Sequence, residues 1–270
     1  MNATRQNPPG RGEPAQTLTD THAHLGDAVF DADRAGVLSA AGRAGIGRII
    51  AVAETLADAE KNLVLADRHR AILPAAGLFP TYLDTSEAGR MRAFIRRHAG
   101  RLAAVGEVGL DYWKVQDEAL REIQREIFCG FIDLAVELDI PLNVHSRSAG
   151  RHVIALLLER AAGRVQLHAF DGRASSALPA VEAGFLFSIP PSVVRSPQKQ
   201  RLVRRLPLAH ILVESDSPAL GPEPGVRNEP ANAAMVVRAI AELKGLRAEE
   251  VAENVVANTR RLYGDRAVLP

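Results

Sequence analysis

Histidines and carboxylates recur at the ends of apolar runs in this chain, and the types suit metal-assisted hydrolysis. In Asp20-Thr21-His22-Ala23-His24 two imidazoles stand two residues apart. Residues two apart share a face of an extended chain, so both rings can turn into one site. Glu107, His145, His168 and Asp216 close or follow later apolar runs, where a buried strand end has no structural need of an imidazole or a carboxylate. Such a mixed donor set suits zinc, manganese and similar divalent ions. The expected arrangement gives one ion to His22, His24 and Asp216 and a second to His145 and His168, with Glu107 lending an oxygen to each. Two cations about 3.5 to 4 Å apart would acidify a shared water and steady the attacking and leaving oxygens. Asp216 beside that water is a candidate general base. A lone H-x-H is explained as well by ordinary hydrogen-bonded histidines. Four histidines and two acids at the ends of five strands are not, because each would need a separate buried partner.

The elements that must position these groups alternate. Apolar runs that read as buried parallel strands cover 18–22, 48–53, 72–78, 102–107, 140–145, 164–168, 185–188 and 211–214. Helical periodicity occupies 31–44, 57–69, 87–99, 116–138, 150–161, 173–183 and 197–206, with two more helices at 230–243 and 248–263. Gly45, Gly100 and Gly163 stand where helices should end. Eight strands in a β-then-α rhythm predict an α/β fold, a (β/α)8 TIM barrel, whose active site lies at the C-terminal mouth of the strands. There the six residues converge. His69, His98, His152 and His210 fall on helices or at the start of a strand and read as surface residues.

A chain of 270 residues is a usual length for one such barrel. Residues 1–16, rich in Pro, Gly, Asn and Arg and without an apolar core of signal-peptide length, read as a disordered extension, leaving 17–270 as one hydrolase domain. A formal net charge of +1, with both signs scattered, excludes the broad basic face of duplex-binding modules. The single cysteine, Cys129, sits in a helical stretch among apolar neighbours and reads as a buried structural thiol. No apolar run is long enough to span a bilayer. A soluble cytoplasmic protein is expected, with a monomer favoured.

Taken jointly and in order, the motifs resemble the TatD family of metal-dependent deoxyribonucleases, among the amidohydrolase-like barrels. The resemblance runs from Thr19 onward through Asp20-Thr21-His22-Ala23-His24-Leu25, Gly106-Glu107-Val108-Gly109-Leu110-Asp111-Tyr112 and Asn143-Val144-His145-Ser146-Arg147. It continues through His168-Ala169-Phe170-Asp171-Gly172, Glu214-Ser215-Asp216-Ser217-Pro218 and Arg227-Asn228-Glu229-Pro230. It implies two divalent ions (zinc, magnesium, manganese or similar) and exonucleolytic hydrolysis of phosphodiester bonds in DNA, on single strands or 3′ ends. It also implies a catalytic part for Glu214, which would share an inward face with Asp216 and orient the water or a ligand.

Further residues follow from their places beside these motifs. Arg147 and Arg227 are candidates to bind a phosphate bidentately, or else to pair with a neighbouring carboxylate. Tyr112 and Trp113 offer flat faces on which a base could stack, though packing is the commoner fate of such a pair. Two departures stand out. Where the family usually shows Gly-x-His-Pro the chain has Gly77-Leu78-Phe79-Pro80, so an imidazole near the site is replaced by an apolar ring. Asp171 stands where the family tends to have Ser, as a partner for an imidazole or a charge repelling a polyanion. Two alternatives to DNA hydrolysis follow: the same chemistry on a small ester, lactone, amide or phosphate ester, and a catalytically weak barrel serving as an interaction module in a DNA-processing or defence assembly.

Overall fold

In the computed structural model, which describes residues 17–269, eight strands lie side by side in sequence order, every neighbouring pair parallel. The extension expected over 1–16 lies outside the described residues. The strands are β1 (Leu18–Ala23), β2 (Ile46–Ala51), β3 (Ile72–Ala76), β4 (Ala104–Gly109), β5 (Leu142–His145), β6 (Val165–Leu167), β7 (Leu186–Ile189) and β8 (Ile211–Val213). Around them run α1 (Arg34–Arg43), α2 (Leu56–Arg68), α3 (Thr85–His98), α4 (Glu118–Leu138), α5 (Gly150–Glu159), α6 (Leu178–Glu182), α7 (Pro197–Arg205), α8 (Ala233–Lys244) and α9 (Ala248–Tyr263). This is the (β/α)8 TIM barrel that the rhythm of the sequence predicts.

Local chemistry adjusts several expected boundaries. The helix expected over 173–183 divides into a 3-10 turn, Ala174–Ala177, and the short α6, because Pro179 has no N–H to give to the preceding turn. Pro230 likewise opens a 3-10 turn ahead of α8. Gly45 takes the left-handed conformation after α1 (φ 88°), but the left-handed residue after α5 is Ala161 (φ 52°), and neither Gly100 nor Gly163 does this work. Cys129 is only partly buried, on the face of α4 near Arg160, which corrects the expectation of a buried thiol.

The main apolar cluster fills the space between strands and helices, and a second lies inside the barrel. There Ile50, Ala104, Leu186 and Leu212 meet Leu262, Tyr263 and Ala267 from the end of α9 and the turn after it. That segment plugs the N-terminal end of the strands. Thr19 Oγ1 donates to the Ala267 carbonyl there, and the Arg164 side chain reaches the Leu262 carbonyl with Nε at 3.2 Å.

The barrel closes through polar contacts beyond the end of β8. Asp216 N donates to the His22 carbonyl (2.9 Å) and His24 N to the Ser217 carbonyl (2.8 Å), so Ala23 and Ser217 pair in parallel. Beneath them the fully buried Asp20 accepts from Ser215 N (2.7 Å), Ser215 Oγ (2.6 Å) and His22 N (3.3 Å). Burial pushes its carboxyl up to about 8, against the pull of those donors. Asp20→Ala strands buried donors on both sides of the seam, and should cost about 2 to 4 kcal/mol in urea unfolding. A loss under about 1 kcal/mol would mean that the backbone pairing alone holds the closure.

Candidate metal centre

Glu107, on β4, is 1% exposed and has imidazoles on two sides. Its Oε2 lies 3.6 Å from His22 Nε2 and 3.5 Å from His24 Nε2, while Oε1 lies 2.6 Å from His145 Nδ1 and 3.5 Å from His168 Nε2. The strand register makes this possible. Gly77 and Gly106 let neighbouring backbones approach, since a Cβ on Gly77 would sit 2.5 Å from the Glu107 carbonyl and one on Gly106 2.6 Å from Asn143 Cβ. Asp216 follows β8 in the left-handed conformation (φ 54°), which Asp tolerates better than most residues, and its Oδ1 lies 3.5 Å from His22 Nε2 and 3.4 Å from His24 Nε2.

The two imidazoles of β1 are 3.3 Å apart through their Nε2 atoms. His22, His24, Glu107 and Asp216 thus present four donors whose five recorded separations run from 3.3 to 3.6 Å. An ion bound tetrahedrally at about 2.1 Å from each ligand needs edges of about 3.4 Å. Those five edges match that spacing, and His22, His24 and Glu107 form a compact three-donor set on which an ion could sit once His24 gives up its proton. The second set, Glu107 Oε1, His145 Nδ1 and His168 Nε2, is closed by the 2.6 Å hydrogen bond between Glu107 and His145, so a proton now occupies part of it.

The outer nitrogen of each ring is held by a partner that decides which nitrogen faces inward. Asn143 Nδ2 donates to the Thr21 carbonyl (2.9 Å), which turns Oδ1 toward His22 Nδ1 at 2.8 Å; that nitrogen is the donor, and Nε2 keeps its lone pair. His168 Nδ1 lies 3.3 Å from Glu214 Oε2 and His145 Nε2 3.2 Å from Asp111 Oδ2. The partners are themselves linked. Tyr263 OH donates to Gln166 Oε1 (2.6 Å) and accepts from Asn143 Nδ2 (3.3 Å). Gln166 Nε2 donates to Ser188 Oγ (2.8 Å), which donates to Glu214 Oε2. One buried hydrogen-bond chain therefore runs from His22 to His168 across the barrel interior.

Charge at the site follows from this crowding. Burial favours a neutral Glu107, but His145, His168 and His22 hold its carboxyl well below the usual range. Burial and the neighbouring His168 lower His22 to about 4. Burial also works against protonation of His24 and His145, yet Asp216 and Glu107 raise His24 to about 9, and Glu107 with Asp111 raises His145 to about 10. Glu54, half-buried and 3.6 Å from His24 Nδ1, is pushed up mainly by burial.

The structure brings together all six residues expected to bind metal, His22, His24, Glu107, His145, His168 and Asp216. Five of them, all but the fully buried His22, line a cavity of about 360 Å³ at the mouth, with Glu54, Phe79, Arg147, Asp171 and Lys199. The structure places four other candidates away from the expected substrate contacts. Glu214 does not line this cavity: it is fully buried, its oxygens accept from Ala169 N (3.0 Å) and Ser188 Oγ, and Oε2 lies 3.3 Å from His168 Nδ1. Tyr112 offers no free face, since it is 9% exposed, Arg121 lies over its ring at 4.3 Å, and its OH accepts from Arg125 (2.9 Å). Arg227 is outside the cavity, its fork held by Asp33 (2.6 and 3.0 Å) and Glu229 (2.8 Å). Asp171 accepts from Ser148 N (3.0 Å) and from no imidazole among the described residues.

Arg147 remains exposed at the rim, stacked on the Trp113 ring at 3.7 Å. Phe79 sits edge-on to His145, with ring centroids 5.1 Å apart. Residues 19–264 match the family described as TatD related DNase. The chain belongs to the TatD family. The deoxyribonuclease TATDN3 of Homo sapiens is 44% identical over 258 residues, covering 91% of this chain and 94% of that protein. An uncharacterized metal-dependent hydrolase TatD of Mycobacterium tuberculosis is 38% identical over 259 residues, covering 92% of this chain and 98% of its own. The crystal structure of the TatD homolog YJJV from Escherichia coli superposes with a TM-score of 0.85 at 27% identity, over 94% of this chain and 98% of that one. Membership in the TatD family makes this barrel a metal-dependent hydrolase, in keeping with its donor set.

Two consequences of the partnering are measurable. Ions at the two sets must displace the protons that His24 and His145 hold at neutral pH, one at each set, so apparent affinity should rise with pH between 7 and 9, with about two protons released per protein at pH 7 when both sets fill. Calorimetric zinc titrations in buffers of different ionisation heat count those protons, and none released would show that the rings are already neutral. Asn143→Ala frees the His22 ring and should weaken metal binding by about 10- to 100-fold in chelator competition. Unchanged affinity beside a lowered melting temperature would make Asn143 a packing residue only.

Proposed function

We propose that the protein hydrolyses phosphodiester bonds at the ends of DNA, 3′ ends and single strands in particular, with two divalent ions at the barrel mouth. The observation that carries the reading is the shared Glu107, whose two oxygens face separate imidazole sets. The imidazole-rich donor sets suit zinc or manganese better than magnesium, which prefers octahedral oxygen ligands. Bound divalent ions supply positive charge that acidifies water and neutralises phosphate.

The chain's own groups do the rest. Asp216, lining the cavity with its carboxyl held low by the surrounding histidines, accepts the proton of the attacking water. Glu107 holds the two histidine sets in register, and Arg147 at the rim meets the phosphate backbone. The cavity is small and half-enclosed by Phe79 and the loops after β5 and β6, which favours a terminal nucleotide over the middle of a long strand. All six donor residues come from one chain, consistent with a monomer, and no described helix is long and apolar enough to cross a membrane. The near-neutral charge and single cysteine fit a cytoplasmic setting.

A second reading, a small ester or phosphate ester as substrate, draws on Phe79, which gives the cavity an apolar wall beside His145. Metal analysis with 3′- and 5′-labelled single-stranded DNA decides between the two. Metal-dependent shortening from the 3′ end is expected, lost by at least about a hundredfold in the Glu107→Ala, Asp216→Ala double variant. Bound metal without cleavage, together with turnover of small esters that falls in Phe79→His, would favour the second reading.

A further inference from the structure

Lys199 lines the same cavity as the metal donors, yet no carboxylate pairs with it among the described residues. It sits in the first turn of α7, which starts with Ser196 capping its backbone N–H, and the side chain runs inward until only 8% of the residue is exposed. Its one hydrogen bond goes to the carbonyl of Ala169 (3.0 Å), the residue directly after His168. An ammonium has three protons to donate, and two have no recorded acceptor among the described residues. Burial works against this charge, and Glu214, Asp216 and Asp171 favour it from a distance, but none of them is hydrogen-bonded to the ammonium among the described residues, which leaves it able to bond an anion in the cavity.

Two other donors of the same cavity are also unspent. Ser146, next to His145, is 2% exposed, and its Oγ has no hydrogen-bond partner. Arg147 follows it, with its guanidinium laid on Trp113 and no carboxylate bonded to it. The acids of the cavity face other groups: Asp216 and Glu107 face the imidazoles, Glu54 lies 3.6 Å from His24 Nδ1, and Asp171 accepts from Ser148 N.

We propose that Lys199 and Ser146, with Arg147 at the rim, form an anion subsite that holds the phosphoryl oxygens of the substrate turned away from the metal donors. It takes a phosphate monoester or diester and selects against uncharged esters. This rests on the phosphodiesterase reading for its place in the reaction, but the subsite itself is defined by phosphate binding. Lys199 is a binding residue here, and a merely structural Lys199 would do no more than tie α7 to the loop after β6 through one hydrogen bond.

The test uses the metal-loaded protein and inorganic phosphate as the probe, followed by calorimetry. Lys199→Met should weaken phosphate binding by about tenfold to a hundredfold and Ser146→Ala by several-fold, since hydrogen bonds to charged groups are the strong ones. Metal content should be retained. Lys199→Gln, neutral and able to keep the bond to Ala169, serves if the Met variant does not fold, and it should bind phosphate as weakly. In oligonucleotide cleavage the same variants should raise KM more than they lower kcat and reduce the salt slope by about one charge. Phosphate binding unchanged in both Lys199 variants overturns the subsite, even if the wild type cleaves DNA. Lys199-dependent phosphate binding by a protein that cleaves no DNA leaves the subsite standing and overturns the phosphodiesterase reading instead.

Discussion

Glu107 is a carboxylate taken out of water with no lysine or arginine against it among the described residues. In a low-dielectric interior such a charge survives only if positive charge is brought to it, and the residues around it can bring that charge in two forms, as protons on imidazoles or as metal ions. The surrounding architecture answers this constraint. β1, β5 and β6 each place a histidine at or beside their C-terminal end, aimed at one of its two oxygens, and β8 is followed by a second carboxylate that faces His22 and His24. Protons and metal ions are therefore exclusive occupants of the same places. The protein folds around a charge distribution that either can complete.

That arrangement depends on groups far from it in the chain. Asp20 and Ser215, 195 residues apart, fasten the first strand to the segment after the last, and this seam sets His22 and His24 against Asp216. The end of α9 plugs the opposite end of the barrel and sends Tyr263 up into the polar layer, where it joins Asn143 to Gln166. A polar layer of this kind inside a barrel is worth having only when every member is satisfied. Here the chain from His22 to His168 closes, so the orientation of one ring is linked to that of the other.

The ligands themselves were legible because chemistry and pattern conflict at their positions. Imidazoles and carboxylates at the ends of apolar runs contradict what a buried strand requires, and the conflict points to function. The rhythm of strands and helices was legible for the opposite reason, as local periodicity and overall fold agree. What escaped were relations between distant residues. Nothing in Arg227-Asn228-Glu229 announces that the arginine is taken by Asp33, nor does Gly-Leu-Asp-Tyr show that Arg121 covers the tyrosine. Glu214 shares its strand's inward direction with Asp216, but Ser188 and Ala169 capture it one layer below the cavity. Lys199 lies in Pro-Gln-Lys-Gln-Arg, which reads as a solvated cationic face, and only the approach of α7 to the loop after β6 buries it.

The pairing of Arg147 with Trp113 has a consequence of a different kind. Trp113 is the chain's single tryptophan, and it stands half-exposed at the rim with the guanidinium 3.7 Å from its ring. All indole emission from the protein therefore originates beside the cavity, under the influence of two neighbouring cations, Arg147 and, at 5.0 Å, Lys114. Any occupant that draws Arg147 off the ring, or lies against the indole itself, changes the light the protein emits. The molecule carries its own optical reporter of arrivals and departures at the site, with no label to be attached.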